Sequence, residues 1–180
     1  AAQLTRQLLT FSRTPTQHRE RLSPSTILTD VRGMIEGIIP EYISLQITDL
    51  SHDAIVDVDR AAVEQALVNL ALNARDAMPR GGTISIVAES IVVDGDVVTN
   101  NRTLGPGSYV TLVVADDGDG IPSESLPHIF EPFFTTKESG RGSGFGLATV
   151  YASIDEMGGG ITVTSTLGRG TEFRLYLSTT

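Results

Sequence analysis

Glycine is distributed very unevenly along this chain of 180 residues. Eleven of its eighteen glycines fall between Gly118 and Gly170, whereas about 7% glycine is usual in globular proteins. Because glycine lacks a Cβ atom, such a cluster marks a place where the backbone turns sharply or comes very close to a ligand. This segment therefore constrains both the fold and the position of any functional site.

Composition excludes several classes of protein. Apolar residues make up 40% and charged residues 19%, which is typical of a globular chain and not of a disordered one. Cysteine is absent, which excludes disulfides, thiolate zinc sites and thiol nucleophiles. No run approaches the roughly 20 apolar residues of a membrane span, and none resembles a signal peptide. We expect a cytoplasmic fragment without direct membrane contact, excised from a parent that another segment could anchor.

The net charge of −9 predicts no binding to nucleic acid or to an anionic bilayer. It does not exclude a phosphate ligand, because a bound cation, backbone amides and a single lysine can supply positive charge locally. The only lysine of the chain, Lys137, lies inside the glycine-rich segment. Binding of a polyphosphate here would therefore depend strongly on magnesium.

The first 22 residues are predicted to be separate from the main domain, which we place at residues 23–180. Leu4, Leu8 and Phe11 have the spacing of a helical seam. Residues 14–24 contain two prolines and several polar residues, which is typical of a linker. The seam could pack on its own domain or form half of a contact with another helix.

Hydrophobic spacing predicts helices and strands through the rest of the chain. The helices are expected at residues 26–38, 60–78 and 146–157, and strands at 43–48, 54–58, 83–88 and 109–115. Asp59 is a suitable N-cap for the second helix. The Asp94-Gly95 dipeptide predicts a tight hairpin. The runs ITVTST and TEFRLYL, on either side of LGRG, predict a terminal hairpin.

Two asparagines lie on one face of the long helix. Asn69 and Asn73 are four residues apart, next to the apolar stripe. A half-buried carboxamide needs hydrogen-bond partners, and its oxygen is a hard ligand suited to magnesium. Ordinary helix-surface amides are the simpler interpretation of this pair taken alone.

The run VVADDGDGI places a carboxylate at the end of a strand. Asp116 could accept a hydrogen bond from an exocyclic amine, while Gly118 and Gly120 would let the backbone approach a flat ligand. An acidic glycine turn is the alternative, although the spacing of acidic residues does not complete a calcium-binding loop.

The glycine-rich segment continues with a phenylalanine-rich run and a helix start. In IFEPFFTTK the aromatic residues predict a hydrophobic latch at the base of a loop, and Lys137 could reach a phosphate. In GRGSGFGLATVY a glycine run opens a helix, whose free N–H groups suit a phosphate. A flexible linker is the alternative interpretation of these glycines.

Together and in this order, four motifs resemble one family. NLALNARDAM, DDGDGI, FEPFFTTK and GRGSGFGLA resemble the catalytic ATP-binding domain of bacterial sensor histidine kinases, with phrasing similar to hybrid kinases. These belong to the Bergerat-fold ATPases, with gyrase, HSP90 and MutL. The resemblance covers about residues 23–180 and implies a two-layer α+β sandwich, whose mixed, mostly antiparallel sheet is covered by helices on one face. LTRQLLTFSR resembles the end of the family's dimerisation hairpin.

The resemblance implies a role for each matching residue. Asp116 would bind the adenine amino group, Thr171 would hold that carboxylate or a bridging water, and Asn73 would coordinate Mg²⁺ with support from Asn69. The other residues implied to contact ATP are Gly118, Gly120, Ile121, Phe134, Thr136, Lys137, Gly142, Ser143, Gly144, Phe145, Gly146 and Leu147. Asn69, Asn73 and Lys137 would serve the transfer step.

The resemblance also implies partners, and at some positions this sequence departs from the pattern of the family. The γ-phosphoryl group of ATP would go to a histidine of a dimerisation domain of the same homodimeric parent, and then to a receiver domain. No H-[ED]-x-x-x-P-like element surrounds His18, His52 or His128, so the acceptor is expected outside this chain. Asp76 stands where many relatives have a basic or neutral residue.

Two other functions are compatible with parts of this pattern. A gyrase-type or HSP90-type hydrolase would carry a glutamate base four residues before the metal asparagine, where this chain has Asn69, which cannot abstract a proton. A non-catalytic nucleotide-binding scaffold is the other alternative, and the intact Asn73, Asp116 and Lys137 disfavour it.

Overall fold

The computed structural model describes residues 18–136 and 144–180. Within them it contains helices α1 (Pro24–Glu36), α2 (Arg60–Asp76) and α3 (Gly146–Glu156). The strands are β1 (Arg19–Leu22), β2 (Ile43–Leu50), β3 (Val56–Asp59), β4 (Gly82–Val93), β5 (Val97–Val98), β6 (Thr103–Leu104), β7 (Gly107–Asp116), β8 (Gly160–Thr166) and β9 (Gly170–Ser178). None of the described helices is long and apolar enough to cross a bilayer.

Five strands form one mixed sheet in the order β2-β4-β7-β9-β8. Only the β2–β4 pair is parallel, and the other three pairs are antiparallel. Two short ribbons, β1–β3 and β5–β6, lie beside it. The predicted α+β class and mostly antiparallel sheet are confirmed, and so is the C-terminal hairpin, which is β8–β9.

The helices pack on one face of this sheet. Side chains of each strand point alternately to the two faces, and the apolar ones point toward the helices. In β7, Leu112 and Val114 are buried in the same core as Phe173 and Leu175 of β9. The stripe that α2 contributes comprises Val63, Ala66, Leu67, Leu70, Ala71 and Ala74. Burying a large aliphatic side chain of this kind stabilises the fold by about 1.5–3 kcal/mol.

Strand β3 leads directly into α2, and this junction fixes the start of the helix. The Asp59 side chain accepts a hydrogen bond from the backbone N–H of Ala62 at 3.0 Å, which confirms the predicted N-cap. Arg60 then forms ion pairs with Asp30 of α1 and with Glu64. The helix ends at Asp76, two residues before the expected end at residue 78.

The linker predicted at residues 14–24 is wrong where the structure describes it. Arg19–Leu22 pairs antiparallel with β3, and α1 begins at Pro24 after the N-cap Ser23. The strand is hard to recognise in the sequence because its first three side chains are exposed and lack apolar alternation. Arg19 also donates to the carbonyl oxygen of Glu156 at the end of α3.

The hairpin predicted at Asp94-Gly95 is also wrong. Strand β4 runs on to Val93 and pairs along its length with β7. The tight pair instead lies between β5 and β6, with Thr99 N–H bonded to the carbonyl of Arg102 at 2.9 Å. The backbone groups that precede Asp94 therefore pair with β7, and not with a strand that follows the Asp94-Gly95 turn.

Candidate functional site

A row of polar side chains crosses three neighbouring strands at one end of the sheet. Asp116, the last residue of β7, is the register partner of Thr171, which is in turn the partner of Ser165. Register partners point to the same face of a sheet. On its other side Asp116 is paired with Ile84, which is fully buried in the core shared with the helices. These three residues, here called the polar row, therefore face the helical layer.

The Asp116 carboxylate is held in place by backbone donors. Its Oδ1 accepts the N–H of Gly118 at 2.9 Å. Burial raises the pKa of Asp116 above its usual range, and hydrogen bonds from the backbone of Gly118 and Thr171 offset only part of that rise. A half-buried carboxylate with remaining lone pairs is a ready acceptor for an amine.

The glycines after Asp116 are required by the packing of the chain itself. A Cβ atom on Gly118 would lie 2.7 Å from the carbonyl oxygen of Ala77, at the end of α2. Gly120 has a φ of +71°, and a Cβ there would overlap the backbone of Thr166. The N–H of Asp119 also donates to Ala77 at 2.9 Å. The turn thus contacts the end of α2 on one side and the β8–β9 hairpin on the other.

Two amides of α2 face the beginning of α3. Asn69 Nδ2 donates to the carbonyl oxygen of Gly146 at 3.4 Å, and Gln65 donates to Asn69 Oδ1 at 3.1 Å. A Cβ atom on Gly146 would lie 4.0 Å from Asn73 Nδ2. Asn69 and Asn73, here called the amide pair, thus lie on one face of α2, as their spacing predicts, and the structure shows that this face is turned toward α3.

Asn73 is incompletely satisfied. Its Nδ2 is the only buried side-chain nitrogen or oxygen without a hydrogen-bond partner in the part of the chain that is described. Buried polar atoms normally have partners, so this amide is suited to a ligand that supplies one. The carboxamide oxygen is also a hard donor of the kind Mg²⁺ accepts.

The amide pair fits a magnesium ion that is shared with phosphate oxygens. Within residues 18–136 and 144–180 no cluster of three or more His, Asp or Glu could hold a metal. Magnesium in nucleotide sites typically takes one or two protein oxygens and several from phosphate and water. Asn73 would hold the ion, and Asn69 would fix the neighbouring backbone of α3.

The phenylalanine-rich run contacts the two residues that directly precede α3. Phe133 donates its N–H to the carbonyl oxygen of Gly144 at 2.9 Å, and its ring meets that of Phe145 at 4.5 Å. Phe130 and Phe134 instead pack against the core, where Phe130 meets the ring of Tyr151 at 5.2 Å. The contact of Phe133 with Gly144 and Phe145 brings the two flanks of residues 137–143 together.

Helix α3 begins at the residue after Phe145. Gly146 is its first residue, Phe145 supplies no side-chain cap, and Leu147 packs partly against the core. The first N–H groups of a helix lack intrahelical partners and carry partial positive charge. Among the other predicted residues, Thr136 is exposed, whereas Lys137, Gly142 and Ser143 lie outside the described residues, as do Leu4, Leu8 and Phe11.

Sequence reasoning missed Ser165. Its Oγ accepts the N–H of Ile121 at 2.8 Å, donates to the carbonyl oxygen of Gly170 at 3.0 Å, and lies 2.9 Å from Thr171 Oγ1. The signal that could have found it is the alternation of ITVTST, where a hydroxyl follows Ile161 and Val163 on the core-facing side. Asp76, noted as a departure, is paired with Arg75 at 2.7 Å.

The geometry is that of an α+β domain with a half-buried carboxylate at a strand end on one side and the start of a helix without a side-chain cap on the other. Residues 58–180 match the family model described as histidine kinase-, DNA gyrase B- and HSP90-like ATPase. The chain therefore belongs to this family, and its relatives identify it as a histidine kinase ATP-binding domain.

The relatives include sensor kinases from two bacteria. The sensor kinase CckA of Brucella abortus is 43% identical over 98% of this chain, and the sensor histidine kinase ZraS of Escherichia coli K12 is 36% identical over 68%. The chain spans only 19% and 23% of those two proteins. Among solved structures, the catalytic domain of histidine kinase ThkA has 29% identity and a TM-score of 0.70, covering 89% of this chain and 95% of that one. ThkA in complex with its response regulator TrrA also matches, with 24% identity and a TM-score of 0.71, over 99% of this chain and 47% of that one.

Proposed function

We propose that this domain binds Mg-ATP and donates the γ-phosphoryl group to a histidine of a dimerisation domain of the same protein. The observation that carries the proposal is the placement of two complementary groups around one sheet end. A half-buried carboxylate with free lone pairs stands at the end of β7, and a buried unpaired amide faces the start of α3. The first suits the amino group of adenine, and the second suits the magnesium and phosphates.

Different residues of the chain would bind the base, the magnesium ion and the phosphates. Asp116 accepts the adenine amine, with Gly118, Gly120 and Ile121 lining the base and the Thr171 backbone holding the carboxylate. Asn73 holds magnesium, which when bound neutralises charge on the phosphates. Lys137 and the backbone from Gly142 to Leu147 hold the phosphate tail, with Phe134 and Thr136 at the base of the loop.

Phosphoryl transfer needs positioning and charge neutralisation more than a protein base. A bond forms between a histidine nitrogen and the γ-phosphorus, and the bond from that phosphorus to the β-phosphate oxygen breaks, so that ADP leaves with the electron pair. Asn69 is bonded to Gly146 and cannot abstract a proton from water, which favours transfer over hydrolysis.

The partners follow from the same proposal. The acceptor histidine would belong to a helical domain that precedes β1, in a homodimeric parent. The predicted boundary at residue 22 would then move to residue 18, because Arg19–Leu22 pairs with β3. The phosphoryl group would pass onward to a receiver domain, for which the complex of ThkA with a response regulator is a precedent in a protein of the same fold.

The experiment supplies the acceptor separately. The chain is incubated with Mg-ATP labelled at the γ position, alone and with the histidine-bearing helical domain of its parent. We expect acid-labile phosphate on the helical domain and little on this chain. Binding of ATP without any transfer would instead support the scaffold alternative, and steady release of phosphate without an acceptor would support hydrolysis.

A further inference from the structure

We propose that Ser165 is a positioning residue that fixes the direction of the Thr171 hydroxyl and thereby helps the site to distinguish a 6-amino purine from a 6-oxo purine. The inference deepens the proposed function and rests on it, because it requires the base to bind beside Asp116. It concerns a residue in β8 that the motifs of the sequence do not include.

The argument begins with the three partners of Ser165 Oγ. The N–H of Ile121 lies at 2.8 Å, the carbonyl oxygen of Gly170 at 3.0 Å, and Thr171 Oγ1 at 2.9 Å. A serine hydroxyl has one hydrogen to donate and two lone pairs that accept. Ile121 N–H can only donate, and the Gly170 carbonyl can only accept.

Only one assignment of hydrogens satisfies all three contacts. Ser165 gives its single hydrogen to Gly170 and accepts from Ile121, so its contact with Thr171 requires Thr171 to be the donor. If Ser165 instead donated to Thr171, the carbonyl of Gly170, a buried residue, would lose this partner. The hydroxyl hydrogen of Thr171 is therefore directed along the sheet toward β8.

This direction determines what the polar row offers to a ligand. Thr171 is 6% exposed and sits directly opposite Asp116 on the same face. With its hydrogen given to Ser165, the Thr171 hydroxyl has only lone pairs left to offer. The Asp116 carboxylate, bonded to the backbone of Gly118 and Thr171, likewise offers only lone pairs.

A surface that presents only hydrogen-bond acceptors can bind an amine, which donates hydrogen bonds, but repels a carbonyl oxygen, which only accepts them. The 6-amino group of adenine donates hydrogen bonds, whereas the 6-oxo group of hypoxanthine accepts them. Without Ser165 the Thr171 hydroxyl is free to rotate and donate to a carbonyl. Ser165 thus acts through Thr171 and does not itself need to touch the base.

The test compares the affinities for Mg-ATP and Mg-ITP by calorimetry in the 180-residue chain. ITP has a 6-oxo group and a hydrogen on N1 where ATP has a 6-amino group and a bare N1, and it adds no 2-amino group. In Ser165→Ala we expect the ratio of Kd for ITP to Kd for ATP to fall about tenfold, the scale of one hydrogen bond. Ser165→Thr, which keeps a hydroxyl, should restore the ratio.

Further variants separate a positioning role from a general loss of structure. Ser90→Ala removes a similar bond, from Ser90 Oγ to the carbonyl of Ser51 at 2.7 Å, elsewhere in the sheet, and should leave the ratio unchanged. In a Thr171→Val background, Ser165→Ala should no longer change the ratio. Ser165→Cys gives the same comparison if the alanine variant does not fold.

The outcomes are distinguishable. An equal weakening of ATP and ITP in Ser165→Ala, or no change in either, would overturn the proposal and leave Ser165 a purely structural residue. Failure of the wild-type chain to bind ATP, or an Asp116→Asn variant that binds ATP normally, would overturn the proposed function itself.

Discussion

The two sides of the site differ in how fully their polar side chains are hydrogen-bonded. The polar row forms a connected set of hydrogen bonds, in which Asp116, Thr171 and Ser165 are all bonded to the chain. In the amide pair, by contrast, Asn73 has a buried polar atom without a partner. The first side is built before a ligand arrives, whereas the second depends on the ligand to finish it.

This difference has an energetic meaning. A preorganised site loses little free energy on ordering when its ligand binds. An unpaired buried donor costs about 1–3 kcal/mol in the free protein, and a ligand that pairs it recovers that free energy. Base recognition and phosphate binding should therefore respond differently to mutation, to magnesium and to pH.

The largest expected effect comes from Asn73→Ala. We expect phosphoryl transfer to a supplied acceptor to fall at least 100-fold, since removing one electrostatic stabiliser commonly costs 10²–10³-fold. Thermal unfolding should show little loss of stability, because the variant also removes an unpaired buried donor. Gln65→Ala, whose side-chain amide hydrogen-bonds Asn69, is the control and should retain much more transfer than Asn73→Ala, because it leaves both asparagines in place. A fully active Asn73→Ala variant would refute the metal role.

A smaller effect is expected from acidification. Burial raises the pKa of Asp116, so this carboxyl takes up a proton at a higher pH than an ordinary aspartate. The protonated group is a poorer acceptor, and ATP affinity should fall as pH drops through that raised pKa. Titrations in an Asp116→Asn background should lose this dependence. The raised pKa also means that stability falls, rather than rises, as pH increases through the interval between the unfolded and folded pKa values.

The smallest effect concerns the far end of α3. Arg102 bonds the Asp155 carboxylate at 2.6 Å and its carbonyl oxygen at 2.7 Å, and Asn101 adds a further bond at 2.9 Å. Because both charged side chains are partly exposed, Arg102→Ala should lower the free energy of unfolding by only about 0.5–1 kcal/mol. Chemical denaturation measures this, with Arg32→Ala, at the more exposed pair with Glu36, as the control.

The same pair gives a second check with a defined sign. Arg102 and Asn101 hold the pKa of Asp155 below its ordinary value of 3.8. A lowered carboxyl pKa contributes stability that is present above the unfolded pKa and lost as pH falls through the folded one. The difference between wild type and Arg102→Ala should therefore shrink in acid, where only the bond to the carbonyl oxygen of Asp155 remains. A difference that stayed constant would mean that the bond to the Asp155 carboxylate contributes nothing to stability.

The sequence predicted the local parts of this site well. The spacing of Asn69 and Asn73 on one helix places both amides on the same face. The strand that ends at Asp116 could be read from its apolar run and the glycines that follow. These features need only the period of one helix or strand and the conformational limits of glycine.

The features that depend on register were not predictable in the same way. Ser165 is linked to Asp116 through β9, and although the hairpin of ITVTST with TEFRLYL was predicted, the sequence does not show that Ser165 lies opposite Thr171 or that Thr171 lies opposite Asp116. The strand at Arg19–Leu22 has the sequence of a linker because it lacks apolar alternation, and its pairing with β3 is made by the backbone. Likewise Asp94-Gly95 has the chemistry of a turn, but the long partner β7 outcompetes a local hairpin.

The most direct test is a calorimetric titration of ATP, with and without magnesium, into wild type, Asp116→Asn and Asn73→Ala. Loss of one hydrogen bond to a charged group costs about 1.5–3 kcal/mol, or roughly 10–150-fold in affinity. We predict that Asp116→Asn loses affinity by this amount whether or not magnesium is present. Asn73→Ala should lose more affinity when magnesium is present, because it then loses a metal ligand as well as the Nδ2 donor. Equal losses in both variants under both conditions, or unchanged affinity in Asp116→Asn, would contradict the division of the site into a base side and a metal side.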